Sequence, residues 1–143
     1  MTSPALFDTS IYISALRQGD DALLTSRRAA GDALLWLSAV VLEELYAGVD
    51  EPGRPVVERL ERDFDRAKRI LVPNLGDWIL TGKVLSRLAA KYDYERIGRG
   101  RLTNDALIAM SAARLGIRVI TANQRDFSRL AEFRSFQWEM VRV

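Results

Sequence analysis

Short apolar runs, each followed by a longer amphipathic stretch, recur along this 143-residue chain and restrict what it can fold into. Pro4-Ala5-Leu6-Phe7, Leu34-Leu35-Trp36-Leu37, Ile70-Leu71-Val72 and Ile117-Arg118-Val119-Ile120-Thr121 have the length and composition of buried strands. Between them, apolar residues keep helical spacing, as at Val57, Leu60, Phe64, Ala67 and Leu71. Strands that alternate with helices pair in parallel and are covered on both faces. The expected fold is therefore α/β, a three-layer sandwich with a largely parallel central sheet flanked by helices. Trp138-Glu139-Met140-Val141 is an expected edge strand, and no internal repeat or low-complexity tract interrupts one domain over residues 1–143.

The junctions predict the helices. Ile11-Tyr12-Ile13 and Leu16 give a first helix that ends near Gly19, and Asp20-Asp21 starts a second one that stops at Gly31. Ser38 is an expected N-cap with Leu37 and Leu42 at the staple positions, and its helix runs to Gly48. Glu58 with Arg62, and Asp65 with Arg69, have i,i+4 spacing on an outer face. Asp77 is expected to cap a long helix that turns Trp78, Leu85 and Leu88 inward. Thr103 or Asn104 starts the next helix, which ends at Gly116 in the C′ position. Residues 122–127 read as a loop.

Composition narrows the chemistry. The 21 basic and 19 acidic residues leave a net charge of +2, so no strong overall field draws the chain to nucleic acid. There is no cysteine and no histidine. Disulfides, conventional zinc sites and histidine-based catalysis are thereby excluded. Any metal must be held by carboxylates, amides, hydroxyls and water, a set that favours Mg²⁺ or Mn²⁺. With no signal peptide and no run long enough to span a bilayer, the expected setting is cytoplasmic, away from membranes.

In open α/β sheets, ligands sit outside the carboxyl ends of the strands. Asp8 stands at such an end, Asn123 and Asp126 follow the last clear strand, Glu44 lies on the helix after the second, and Asp105 opens a helix. Each also has a structural role open to it. Asp8 suits a helix cap, Asp105 complements a helix dipole, Glu44 is half of a solvated Glu43-Glu44 pair, and Asn123 and Asp126 suit a turn. For Asp105, Glu44, Asn123 and Asp126, all four structural roles holding together is a weaker account than any one of them.

These residues carry a resemblance. Leu6-Phe7-Asp8-Thr9 and the segment Ser38-Ala39-Val40-Val41-Leu42-Glu43-Glu44-Leu45-Tyr46-Ala47-Gly48 resemble the opening half of the PIN-domain pattern. Asn104-Asp105-Ala106-Leu107-Ile108-Ala109 and the stretch from Val119 to Phe127 resemble its closing half. Their order and spacing are similar to those of VapC-type toxins from bacterial toxin–antitoxin pairs. The resemblance implies that Asp8, Glu44 and Asp105 bind metal, and Glu44 rather than Glu43 fits because it directly precedes Leu45. It leaves Asp126 or Asn123 as the fourth position and makes Thr9 and Thr121 supporting hydroxyls. It also implies a small antitoxin partner and a homodimer, for which Tyr12 and Leu24 on the first two helices offer apolar surface.

The function so implied is a metal-dependent endoribonuclease. Two carboxylates ~4 Å apart repel by roughly 4 kcal/mol at an effective dielectric of about 20, and Mg²⁺ removes that repulsion while activating water for phosphodiester hydrolysis. Arg96, Arg99 and Arg101, interleaved with Tyr92 and Tyr94, are candidate RNA contacts, although such a segment also suits an ordinary surface loop. A phospho-acceptor domain fits poorly, since Asp8 stands alone and no lysine follows Ile120. A haloacid-dehalogenase-like enzyme would need an acid where Ser10 stands. The stronger rival is a non-catalytic domain of the same architecture that binds RNA or a protein partner.

Overall fold

Five strands, β1 (Pro4–Phe7), β2 (Leu34–Ser38), β3 (Ile70–Leu71), β4 (Arg118–Thr121) and β5 (Trp138–Met140), form one sheet in the computed structural model, which describes residues 3–19, 34–93 and 99–142. Their order is β3-β2-β1-β4-β5 and every pairing is parallel. Among the described residues six helices accompany them: α1 (Thr9–Gln18), α2 (Ala39–Gly48), α3 (Arg54–Arg66), α4 (Leu75–Tyr92), α5 (Arg99–Leu115) and α6 (Gln124–Ala131). From β1 the chain steps outward to β2 and β3, then crosses back to β4 on the other side. With right-handed crossovers, the two directions of travel put helices on opposite faces. The three-layer α/β sandwich expected from the sequence is the observed one.

The core follows from the strand composition. Ala5, Leu6, Leu37, Val119 and Ile120 are buried in the sheet, and Val41, Val57, Leu88, Ile108 and Phe127 close over it from the helices. Ser38 caps α2 by accepting from the Val40 N–H at 3.1 Å, and the buried Leu37 and Leu42 occupy the staple positions. Gly116 ends α5 at φ +66°, a left-handed turn that glycine enters without a Cβ clash.

Several local expectations are corrected. Asn74, not Asp77, is the N-cap of α4; Asp77 stands at N3 and returns a hydrogen bond to the Asn74 N–H, a reciprocal capping box. Trp78, in the first turn of α4, is 54% exposed rather than inward, while Leu85 and Leu88 are buried as expected. Helix α3 ends at Arg66, so Ala67 falls in an exposed turn that Lys68 completes at φ +56°. Arg69 donates to the Leu35 carbonyl at 2.8 Å, and neither i,i+4 ion pair closes among the described residues. Helix α5 starts at Arg99, ahead of Thr103. Residues 124–127 are the first turn of α6 rather than loop. Tyr12 is buried in the core, which removes it from the outer surface. The expected second helix at residues 20–31, with Leu24, lies outside the described residues.

Candidate active site

The strand order reverses between β1 and β4, the position where open α/β sheets leave a crevice at their carboxyl edge. Phe7 pairs with Ile120, and the Asp8 N–H continues that ladder to the Ile120 carbonyl at 3.0 Å. Asp8 thus leaves the sheet at its switch point. Its side chain forms no cap bond to α1, although it stands at the N-cap position. Instead Oδ2 accepts from Thr121 Oγ1 at 2.8 Å and Oδ1 from Ser10 Oγ at 2.5 Å.

Only 2% of Asp8 is exposed. Burial pushes its carboxyl above the ordinary aspartate range, opposed by the hydroxyl hydrogen bonds from Ser10 and Thr121 and by the nearby backbone N–H dipoles of Ile11 and Ser10, which face it without closing a cap bond. Those hydrogen-bond partners are all neutral. The buried charge is therefore held by dipoles, and a cation at this edge would complete it.

The next two residues connect Asp8 to other elements. Thr9 donates to Glu44 Oε1 at 2.7 Å, which brings α2 to the same edge. Glu44 is half-buried while Glu43 is exposed. Ser10 accepts from the Ala122 N–H at 3.1 Å while donating to Asp8. The sequence reading missed Ser10 as a partner of Asp8; its signal is a hydroxyl two residues after a strand-end acid.

Asp105 is buried on α5, which packs against β4 and α2. From Leu115 back to Asp105 the helix spans about 15 Å, whereas β4 climbs about 10 Å from Arg118 to Thr121. Asp105 accordingly stands near the carboxyl edge. At the start of α6, Asn123 Nδ2 donates to Asp126 Oδ2 at 2.9 Å, the Asp126 N–H returns to Asn123 Oδ1 at 3.4 Å, and the Asn123 N–H donates to Thr121 Oγ1 at 2.9 Å. Asn123 and Asp126 thus serve the α6 cap and are joined to Asp8 through Thr121. Arg96 and the side chains of Arg99 and Arg101 lie outside the described residues; the backbone of Arg99 and Arg101 opens α5.

Among the described residues, no three acidic side chains are grouped so as to hold a metal ion. The donor set nevertheless suits Mg²⁺, which keeps several waters and needs only one or two protein carboxylates together with substrate phosphate. Asp8 and Glu44 offer hard oxygens from neighbouring elements, with no nitrogen or sulfur ligand to divert them.

The PIN domain family model matches residues 5–133. This chain belongs to the PIN-domain family. The PIN chain also shares its fold with solved structures. It is similar to a chain of DNA-bound VapBC from Salmonella typhimurium at TM-score 0.69 and 21% identity, covering 97% of this chain and 98% of that one. A chain of VapBC2 from Rickettsia felis, bound to a promoter DNA fragment, matches at TM-score 0.67 and 22% identity, covering 96% and 98%. A chain of VapBC-1 from nontypeable Haemophilus influenzae matches at TM-score 0.64 and 23% identity, covering 95% and 96%. No curated protein matches this PIN chain. None of the helices among the described residues is long and apolar enough to cross a membrane.

Proposed function

We propose that this PIN domain is a metal-dependent endoribonuclease and the toxin of a VapBC-type pair, working in the cytoplasm on RNA phosphodiester bonds. The observation that carries the reading is Asp8, a buried carboxylate at the sheet's switch point, held by neutral donors and joined through Thr9 to Glu44. Asp8, Glu44 and Asp105 would hold Mg²⁺ or Mn²⁺, directly or through retained waters, with Asp126 or Asn123 nearest to a fourth position. Bound there, the ion supplies an acidified water, a polarised phosphoryl group and a countercharge for the leaving oxygen. The chain's own part is orientation. Thr121 and Ser10 fix the two Asp8 oxygens, and Thr9 holds Glu44 against the helix that follows β1.

The test is cleavage of a fluorescent single-stranded RNA by the purified protein. Cleavage is expected in Mg²⁺ or Mn²⁺, to be lost in EDTA and to return when metal is restored. Persistent cleavage in EDTA would overturn the metal reading. The absence of a grouped acidic triad among the described residues favours the rival, a non-catalytic RNA- or partner-binding domain, and no cleavage with any divalent metal would select it.

The resemblance to VapBC chains supports a small antitoxin partner. A cavity of about 710 Å³ between α1, α2 and α3, lined by Leu16, Leu45, Val49, Val56 and Leu60 with Glu44 on its wall, suits an antitoxin segment carrying apolar side chains and a cation. A homodimer is proposed through α4. Leu75, Trp78 and Ile79, with Val72 beside them, leave an apolar stripe exposed. Its area, on the order of 400 Å², is about half of what one partner of a standard interface buries. Trp78→Lys is expected to convert the dimer to a monomer by light scattering. A wild-type protein that is monomeric at micromolar concentration would remove this surface from the proposal.

A further inference from the structure

Helix α6 leaves the Asp8 edge carrying two arginines one turn apart, Arg125 and Arg129. Their separation along the axis, about 6 Å, corresponds to one to two nucleotide steps of a stacked strand. The Arg125 side chain is 72% exposed and gives its Nε to Asp126 Oδ1 at a long 3.4 Å. A guanidinium has five N–H donors in a planar fork, so its terminal amino groups are placed to take a phosphate.

The second arginine rests over a ring. The Arg129 guanidinium lies 4.4 Å from the centroid of the Tyr92 ring. A cation–π contact of this kind restrains the group while its N–H donors can still bond a phosphate. Glu132 also attracts it through space, but the hydrogen bonds of that carboxylate go to Lys91 and, at 2.5 Å, to the Tyr92 hydroxyl. Lys91 offsets its charge.

The start of α6 is tied to the carboxylate edge. Asp126 is bonded to Asn123, Asn123 to Thr121, and Thr121 to Asp8, at 2.9, 2.9 and 2.8 Å. The two arginines therefore begin beside the site and lead away from it.

We propose that the backbone of a single-stranded RNA runs from the Asp8 edge along α6, with Arg125 and Arg129 as positioning residues that hold nearby phosphates. This deepens the nuclease reading and rests on it.

The test measures binding of a 5′-fluorescein single-stranded RNA by anisotropy between about 50 and 200 mM salt, in an Asp8→Asn background that leaves the RNA intact. Arg125→Ala and Arg129→Ala are each expected to weaken binding several-fold and to flatten the slope of log affinity against log salt by about 0.7, one single-strand phosphate each. Arg125→Lys keeps the charge and should keep the slope. Arg62→Ala on the outer face of α3 should change neither quantity. With Asp8 intact, the two alanine variants should raise KM and leave kcat near wild type. If they bind with the wild-type slope while the wild-type protein binds and cleaves RNA, the α6 track is wrong and the nuclease reading stands. If the wild-type protein neither binds nor cleaves RNA, both fall.

Discussion

Asp8→Asn is expected to lower Mg²⁺-dependent RNA cleavage by at least about 100-fold, since even outer partners of metal ligands contribute 10–100-fold. Asp105→Asn should behave alike. The same Asp8 substitution is expected to raise the melting temperature in metal-free buffer at neutral pH. The sign follows from burial, which lifts the Asp8 carboxyl above the ordinary range, so the folded state holds that proton more tightly than the unfolded chain. The corresponding stability is fully present below about pH 3.9, the unfolded value, and is lost as pH rises through the folded value. Asparagine stays neutral throughout and avoids that loss. The stability gap between the two proteins should therefore close at low pH, and Mg²⁺ should stabilise only the wild type. Equal cleavage by the folded asparagine protein would remove Asp8 from the chemistry.

Thr121→Val tests the support beneath Asp8. Valine keeps the shape of this fully buried residue but deletes the hydroxyl that donates to Asp8 and accepts the Asn123 N–H. Activity is expected to fall about 10–100-fold, the usual effect of removing a partner that orients a metal ligand. Stability should fall by about 1–3 kcal/mol, toward the lower end, because the Asn123 N–H that loses its acceptor is only partly buried. The lost donor had favoured the charged carboxylate, so the Asp8 carboxyl moves further up and the acid limb of the activity profile shifts to higher pH. Thr121→Ser should recover most of the rate. A valine variant with wild-type kcat and an unmoved acid limb would show that Thr121 serves packing alone.

The strands were legible because each apolar run is short, and the first two end at a polar residue with a distinct task. Leu6-Phe7 stops at Asp8, and Leu37 stops at Ser38, whose hydroxyl caps α2. The α6 helix was not legible at its start. Asn123-Gln124-Arg125-Asp126 has turn composition, and the apolar Phe127 and Leu130 that anchor the helix come only afterwards. A similar masking hides the start of α5 behind the glycines at 98 and 100. At α4, Asn74 and Asp77 are both good capping residues, and composition alone does not say which one takes the cap; Trp78 lies in the first turn, where seven-residue spacing to the buried Leu85 suggests a burial that the helix end does not provide. For the site, periodicity puts acids at strand ends and says nothing about which hydroxyl reaches which oxygen. The reach of Ser10 to both Asp8 and Ala122 depends on β1 and β4 lying side by side, a fact of tertiary structure.

Asp8, Thr9 and Ser10 each bond to a part of the chain made much later, at Thr121, Glu44 and Ala122. During synthesis, the first strand and its acid emerge with none of these partners available. The arrangement of that edge is complete only when β4 lies beside β1. The Thr121 hydrogen bond that holds the Asp8 carboxyl therefore joins the end of the first strand to the fourth of the five.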